Sequence, residues 1–367
     1  MVCISSRNAN FTFPSRRKKV RTMSGQIYRL LTAASLGLLS LAYLPEIHAA
    51  SVDMSVTPVT VDTFVRAETD RYFKQRVEQG AFGKFHHERG PVDVDKQLVI
   101  RMNRDTPYST GIFDLTQPLT IVKPDTGGRF QSILVFNQDH YIQRVIYDPG
   151  TYTFTQKEMG SRYIQVTIRT LVNPTDPADI VAMRKAQDAV QVVQANPGRF
   201  EVPNWDQKSL TGLRNAILTM TPWMPDSRRT FGVKDDVDEV RHLIGTAGGI
   251  FGNAEKDALY FVEVPKGNDG KQPFRLKVKD VPVDAFWSIT VYNKNGFYEA
   301  PVNAISVNSY TAKKDSDGTV TVNFGGNPKA INYLRIMPGW NYLVRLYRPR
   351  PEIIDGSWEF PKAEPVK

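Results

Sequence analysis

Between Gln97 and Val172 the chain breaks into short runs rich in β-branched and aromatic residues: LVIRM, STGIFDL, LTIV, FQSILVF, YIQRVIY, TYTFT and YIQVTIRTLV. Pro, Gly, Asp and Asn punctuate them. Runs this short and this closely spaced, with turn signals between them, predict an antiparallel sandwich or barrel. The texture returns from Leu259 in LYFVEV, FRLKV, FWSITVY, TVTVNF and YLVRLY. Asn268-Asp269-Gly270, Asn295-Gly296 and Asp317-Gly318 interrupt that second stretch and supply the positive backbone φ that tight hairpins demand, so three hairpins are expected there. The fold class expected is mainly β: two antiparallel β-sandwich or barrel-like domains joined by a helical segment.

The helices have their own signatures. Phe64, Val65, Tyr72, Phe73 and Val77 lie among charges between Val61 and Gln79, with Asp62 as the expected N-cap and Gly80 as the stop. Asp176-Pro177 reads as an N-cap followed by proline in the first turn, ahead of a stripe of Ile180, Met183, Val190 and Val193. Asp206 caps a second stripe of Leu210, Leu213, Ile217 and Met220, and a third around Val237, Val240 and Ile244 runs into Gly245, Gly248, Gly249 and Gly252. The expected layout is a signal peptide at 1–50, an N-terminal β domain with a leading helix at 51–175, a helical connector at 176–253 and a C-terminal β domain at 254–367. No sequence repeat is visible, although the β–helix–β order leaves open a duplicated fold with diverged sequence.

Leu30 to Leu44 is a fifteen-residue uncharged run. Arg16, Arg17, Lys18, Lys19, Arg21 and Arg29 precede it and His48-Ala49-Ala50 follows, which together make a secretory signal peptide with cleavage after Ala49 or Ala50. The run is shorter than the roughly 20 apolar residues needed to span a bilayer, so no membrane span is expected in the mature form. Starting at Met23 rather than Met1 would give the leader an ordinary length. Arg16-Arg17 stands too far ahead of the run for twin-arginine export, and no cysteine lies near the cut for a lipid anchor. A periplasmic or secreted protein is expected.

The formal charge of +9 then changes meaning. Residues 1–50 hold seven Lys or Arg and one Glu, leaving 40 basic and 37 acidic residues, or +3, beyond them. Nucleic acid is therefore not an expected partner. Cys3 is the single cysteine, which excludes an intramolecular disulfide, a multi-cysteine zinc site and a cysteine-ligated iron–sulfur cluster. A mature chain without cysteine suits an oxidising compartment.

Gly-x-Ser-x-Gly, the phosphate-loop and dinucleotide fingerprints and His-Glu-x-x-His are all missing, and His87-Glu88-Arg89-Gly90 fails at the second histidine. Asp315-x-Asp317-Gly318 lacks the remaining ligands of a calcium loop and reads as a turn. No cofactor and no metal site is expected. The densest polar cluster is RMNRDTPYS, where Arg101, Asn103, Arg104, Asp105, Thr106 and Tyr108 meet at an expected strand end. Arginine binds carboxylates in a bidentate fork and aspartate orients hydroxyls, so Arg101, Asn103, Asp105 and Tyr108 are candidate ligand contacts. The competing structural reading has Asp105 capping backbone amides and pairing with Arg101 or Arg104. His86, His87, Asp139 and His140 could converge with Asp105 as a metal or acid–base site, against the plainer reading of exposed loop histidines. Asp105 and His140 are the candidate catalytic pair. In the C-terminal half Trp287, Tyr292, Trp340, Tyr342 and Tyr347 form either an aromatic wall within reach of Arg345 or an ordinary strand core. Trp287 and Arg345 complete the ligand-binding candidates.

RMNRDTPYSTGIFDL, with the following LTIVKPDTGGRFQSILVFNQDHY, resembles the bacterial family called domain of unknown function 1254. The resemblance rests on Asn103, Asp105, Thr106, Tyr108, Ser109, Asp114, Leu115, Pro124, Arg129 and Phe130, with Pro107 where the family commonly has Leu. DAFWSITVYNKNGFY through WNYLVRLYRPRPEIIDGSW is similar to the companion domain of unknown function 1214. The resemblance implies an exported or soluble two-domain β protein and supplies no reaction. The leading expectation is an exported protein that binds or processes a small molecule in a cleft between the β domains. The rival expectations are a hydrolase or lyase using Asp105 and His140, and a non-enzymatic module that self-associates into a homo-oligomer.

Overall fold

The computed structural model describes residues 56–97, 100–224, 226–249, 251–299 and 301–367. The expected signal peptide and its cleavage site lie outside these residues. In chain order the elements are α1 (Phe64–Glu78), β1 (His86–His87), β2 (Tyr108–Asp114), β3 (Leu119–Lys123), β4 (Gln131–Asn137), β5 (Ile142–Ile146), β6 (Gly150–Phe154), α2 (Gln156–Met159), β7 (Tyr163–Thr170), α3 (Pro177–Asp188), β8 (Gln191–Val193) and α4 (Gln207–Leu218). They continue with α5 (Glu239–Gly248), β9 (Ala258–Glu263), β10 (Phe274–Val278), β11 (Trp287–Tyr292), β12 (Ser306–Asn308), β13 (Val320–Phe324), β14 (Tyr333–Leu334), β15 (Asn341–Tyr347), α6 (Pro351–Ile354) and β16 (Glu364–Pro365).

The protein is mainly β. In the N-terminal unit a five-stranded sheet, ordered β1-β2-β7-β4-β5, covers a three-stranded sheet ordered β6-β3-β8. Phe113, Ile121, Ile133, Val135, Phe154, Ile164, Val166 and Ile168 fill the space between them. The C-terminal unit packs the sheet β14-β13-β10-β16 on the sheet β12-β11-β15-β9 around Leu276, Trp287, Ile289, Val322, Trp340, Tyr342 and Val344. The ladders are antiparallel except for the β13–β14 pair. Alternation explains both cores, because in β7 and β11 every second residue belongs to the inner set.

The helices depart from the expected layout. Asp176, Asp206 and Asp238 cap α3, α4 and α5 through side-chain oxygens that accept backbone N–H bonds. Helix α1 instead begins after Thr63, and neither Thr63 nor Asp62 caps it. The expected connector is not a single unit. Gln131 donates to the Ala186 carbonyl of α3, and β8 pairs with β3, so residues 177–193 complete the N-terminal unit. Helices α1, α4 and α5 form the helical layer, with Phe64, Ala67, Leu210, Ile217, Ile244 and Ala247 at its centre. Glu68, fully buried on α1, receives both Arg71 and Arg214 and ties α1 to α4.

Two other expectations are corrected. Leu98 and Val99 of the LVIRM run lie outside the described residues, and Ile100 and Arg101 form a turn, with Arg101 at a φ of 54°. Gly270, Gly296 and Gly318 do take positive φ, but the turns at Gly270 and Gly318 carry the chain from one sheet to the other. Turn chemistry sets the local backbone bend and leaves the partner strand unspecified. Among the described residues no helix is long and apolar enough to cross a membrane.

Candidate functional site

Where the two β units meet, each contributes a polar cross-strand row. On the C-terminal sheet the register places Asn308, Ser288, Arg345 and Tyr260 side by side on β12, β11, β15 and β9. With strands about 4.8 Å apart, the row is roughly 14 Å long. The N-terminal sheet supplies Tyr108, Arg169 and Ser132 on β2, β7 and β4. Between the rows runs the segment Arg101–Thr106.

Arg345 is the hub of this seam. Only 1% of it is exposed, and it donates from Nη1 to Thr290 Oγ1 at 2.9 Å. From Nη2 it donates to the Tyr292 hydroxyl at 2.7 Å and to the carbonyls of Arg101 and Met102 at 2.9 and 3.3 Å. One side chain of the second unit thus fixes the main chain of the first. Asn103 Nδ2 donates to the Tyr347 hydroxyl at 3.0 Å, and Asn308 Nδ2 donates to Asp105 Oδ1 at 3.1 Å. Asp105 Oδ2 is buried without a hydrogen-bond partner, as are Ser288 Oγ and Arg169 Nη1. Burial pushes the phenols of Tyr292 and Tyr347 up and Tyr260 up to about 12, so at neutral pH all three keep their protons as donors.

The sequence candidates are thereby partly brought together. Asn103, Asp105, Tyr108 and Arg345 join the seam. Arg101 contributes its carbonyl, while its guanidinium turns to Asn341 Oδ1 at 3.4 Å. Asp105 makes no ion pair with Arg101 or Arg104; Arg104 donates to the Val92 carbonyl at 2.9 Å and lies over the Tyr298 ring. Trp287 is not at the site. Strand alternation turns it, with Trp340 and Tyr342, into the inner core, while Tyr292, Arg345 and Tyr347 face the seam. The aromatic wall is therefore split between the two faces of one sheet.

His140 is likewise displaced from the expected role. It is fully buried between Phe136, Phe231, Phe251 and His242. Its Nε2 accepts the Phe251 N–H at 2.9 Å, which leaves Nδ1 to donate to Thr246 Oγ1 at 2.9 Å. Burial, and then the neighbouring His242, hold its pKa well below the usual imidazole value. Both ring nitrogens are committed, so this imidazole offers no site for proton transfer. The reading of the histidines as exposed loop residues fails for His140, while His87 is half-buried with Nδ1 2.7 Å from Ser109 Oγ. Asp139 is held by Arg66. Among the described residues no three His, Cys, Asp or Glu side chains are grouped to hold a metal ion.

Arg169, Tyr260, Ser288 and Asn308 were not singled out by sequence reasoning. Their signal was present as polar side chains at alternate positions of apolar strands, visible in YIQVTIRTLV and FWSITVY once the period of two is applied. A cavity of about 260 Å³ adjoins the seam between α5, the 226–231 segment and β9. Phe231, Ile244, Leu259 and Val262 supply apolar wall, and Asn253 and Tyr260 also line it. Asn253 Nδ2 donates to the Tyr260 hydroxyl at 2.6 Å. The glycines of α5 allow this geometry: a Cβ on Gly245 would stand 2.2 Å from Thr230. A second cavity, about 550 Å³, lies at the opposite edge of the sheet along Ser306 and Val307 and has a mixed lining in which Lys313, Lys329 and Asn332 stand beside Ala330 and Ile331.

Comparison with known families agrees with the two units. Residues 82–194 match the family described as protein of unknown function (DUF1254), and residues 263–351 match protein of unknown function (DUF1214). The chain carries a DUF1254 domain followed by a DUF1214 domain. The end of the DUF1254 match at residue 194 agrees with the inclusion of α3 and β8 in the first unit. Asp105, Tyr108 and Arg169 lie in the DUF1254 domain and Ser288, Asn308 and Arg345 in the DUF1214 domain, so the seam is built by both. No curated protein matches the chain. Among solved structures, the VPA0106 protein from Vibrio parahaemolyticus is similar at 16% identity and a TM-score of 0.66, covering 84% of this chain and 98% of its own. An uncharacterised protein from Burkholderia cenocepacia aligns at 11% identity and a TM-score of 0.47, covering 83% and 88%. The first of these likenesses speaks for the fold alone.

Proposed function

We propose that this DUF1254–DUF1214 protein binds or processes a small molecule in the cavity between α5 and β9. The observation that carries the reading is that one residue, Tyr260, belongs both to the cavity wall and to the buried polar row. An apolar wall with a few convergent hydrogen-bonding groups is the usual composition of a small-molecule site. Phe231, Ile244, Leu259 and Val262 would hold the body of the ligand, and Asn253 and Tyr260 would orient its polar end.

Ser227 is exposed on the cavity lining, so a larger side chain there can enter the cavity without disturbing a core. Ser227→Trp is expected to weaken ligand binding at least about tenfold, or about 1.4 kcal/mol, while the thermal midpoint stays within about 2 °C. Calorimetric titration of wild type and variant with hits from a thermal-shift screen checks this; equal affinities would place the ligand elsewhere. We further propose that the protein works outside the cytoplasm, as the basic flank, uncharged run and His48-Ala49-Ala50 exit suggest. Fractionation with mass analysis is expected to find a mature chain beginning at Ala50 or Ser51 in the periplasm or medium. A full-length cytoplasmic chain would end that proposal.

A further inference from the structure

We propose that the groove along the β12 and β14 edges is a second ligand site, and that it takes a phosphate monoester of a small polyol, such as a sugar phosphate. None of its lining residues belongs to the α5–β9 cavity.

Both sheets of the C-terminal sandwich end here, one in β12 and the other in β14. Asn173, Pro174 and Thr175 of the first unit bound the groove between them, whose volume is about 550 Å³. Cavities that hold small molecules span roughly 300–1,000 Å³. The charge of this one has a single sign, because its lining contains Lys313 and Lys329 and no Asp or Glu. The acids next to it in sequence are engaged elsewhere. Asp176 accepts the Ala178 N–H, Asp179 pairs with Arg129, and Asp315 accepts from Thr321 Oγ1. Among the described residues neither lysine ammonium has an ion pair or a hydrogen bond. A concave surface lined by one sign of charge focuses its field and concentrates the opposite ion.

The backbone under each lysine is held in place. Asn332 Oδ1 accepts the Lys313 N–H and its Nδ2 donates to the Lys313 carbonyl, both at 2.8 Å. Asn327 Oδ1 accepts the Lys329 N–H at 3.0 Å. The two ammonium groups therefore start from ordered positions, one between β12 and β13 and the other between β13 and β14. A phosphate monoester carries close to two negative charges at neutral pH, which two point-like ammonium groups match. A planar carboxylate suits the guanidinium fork better, and the lining contains no arginine. Groups for the polyol are also present. Asn173 Oδ1 is occupied by Thr175, which leaves its Nδ2 to donate, and Asn303 and the Tyr333 hydroxyl have no bond among the described residues. Pro328, Ala330 and Ile331 offer apolar surface to the carbon-bound hydrogens of a ring.

The test is calorimetric titration of the full mature chain at low ionic strength with glucose 6-phosphate and glycerol 3-phosphate, each beside its parent polyol, and with glucuronate and inorganic phosphate. At least one ester is expected to bind about tenfold or more tightly than its polyol, and more tightly than glucuronate or inorganic phosphate. The double variant Lys313→Gln/Lys329→Gln is expected to remove the advantage of the ester over the polyol. Both lysines are exposed, so its thermal midpoint should stay within about 2 °C of wild type. Ser227→Trp, in the other cavity, should leave ester binding unchanged. Ester binding that survives the double variant, or that is lost in Ser227→Trp, places the anion elsewhere and overturns the site. Glucuronate binding as tightly as the esters overturns the phosphate assignment, and inorganic phosphate doing so overturns the polyol. Binding of neither ester overturns the whole proposal and leaves the α5–β9 cavity untouched.

Discussion

Arg345→Met is expected to lower the unfolding free energy by about 3–5 kcal/mol, the cost of removing one partner from a buried charged network. The methionine fills comparable volume, so the loss comes from hydrogen bonding rather than from a cavity. The Arg101 carbonyl and Thr290 Oγ1 would lose their donor, and the Tyr292 hydroxyl would lose the shorter of its two bonds. Asp105 would also lose the nearby positive charge. Replacing a whole buried ion pair with apolar groups is often neutral, but here the acceptors stay behind, on two units of the protein. Arg345→Lys sharpens the point, because it keeps the charge on one nitrogen that cannot reach all the acceptors on both segments; an intermediate loss is expected. Urea unfolding followed by tryptophan fluorescence measures both. A loss under about 1 kcal/mol for Arg345→Met would show that the seam does not hold the units together.

The second large effect is acid sensitivity. Burial lowers the pKa of His140 strongly, and that of His242 and His87 to a smaller degree. A histidine kept neutral in the folded state is fully stabilising above the ordinary imidazole value near 6.5. Below it the unfolded chain takes up the proton first, and stability falls by up to about 1.4 kcal/mol per pH unit per histidine until the folded pKa is reached. Asp70, Glu88 and Asp257 act in the opposite sense, since burial raises their folded pKa and protonation on acidification relieves the cost. The net effect is therefore read against a variant. His140 has a φ of 62°, which asparagine tolerates well, so His140→Asn removes the proton site and spares the backbone. Between pH 7.5 and 5.5 the wild type is expected to lose about 1 kcal/mol more than His140→Asn. Identical losses would mean that His140 protonates in the folded state as readily as in the unfolded one.

Acid sensitivity and catalysis are distinct uses of histidine, and the sequence could not separate them. His140, after Asp139 between two strands, reads as an exposed loop residue or as the partner of Asp105 in acid–base chemistry. Only the packing shows Phe136, Phe251 and Thr246 closing around the ring. The RMNRDTPYS cluster was legible as a site because six of its polar residues fall within eight positions. Its partners were not, because Arg345, Tyr347 and Asn308 are some 200 residues away, and no local pattern records which strand face will meet it. Trp287 and Arg345 are close in register but on opposite faces, and assigning both to one site overlooked the alternation that separates them.

Strand texture, turn glycines and aspartate caps are local consequences of φ preference and hydrophobic period, and for that reason the sequence alone determined a mainly β protein of two units with capped helices between them. Which turns join strands within a sheet and which cross to the other sheet was decided by tertiary packing, as was the split of the connector between the first unit and the helical layer. The same holds for the seam. Its charges are buried only because two sheets meet there, and a buried guanidinium that bonds the main chain of the other unit is a property of that meeting rather than of any stretch of chain.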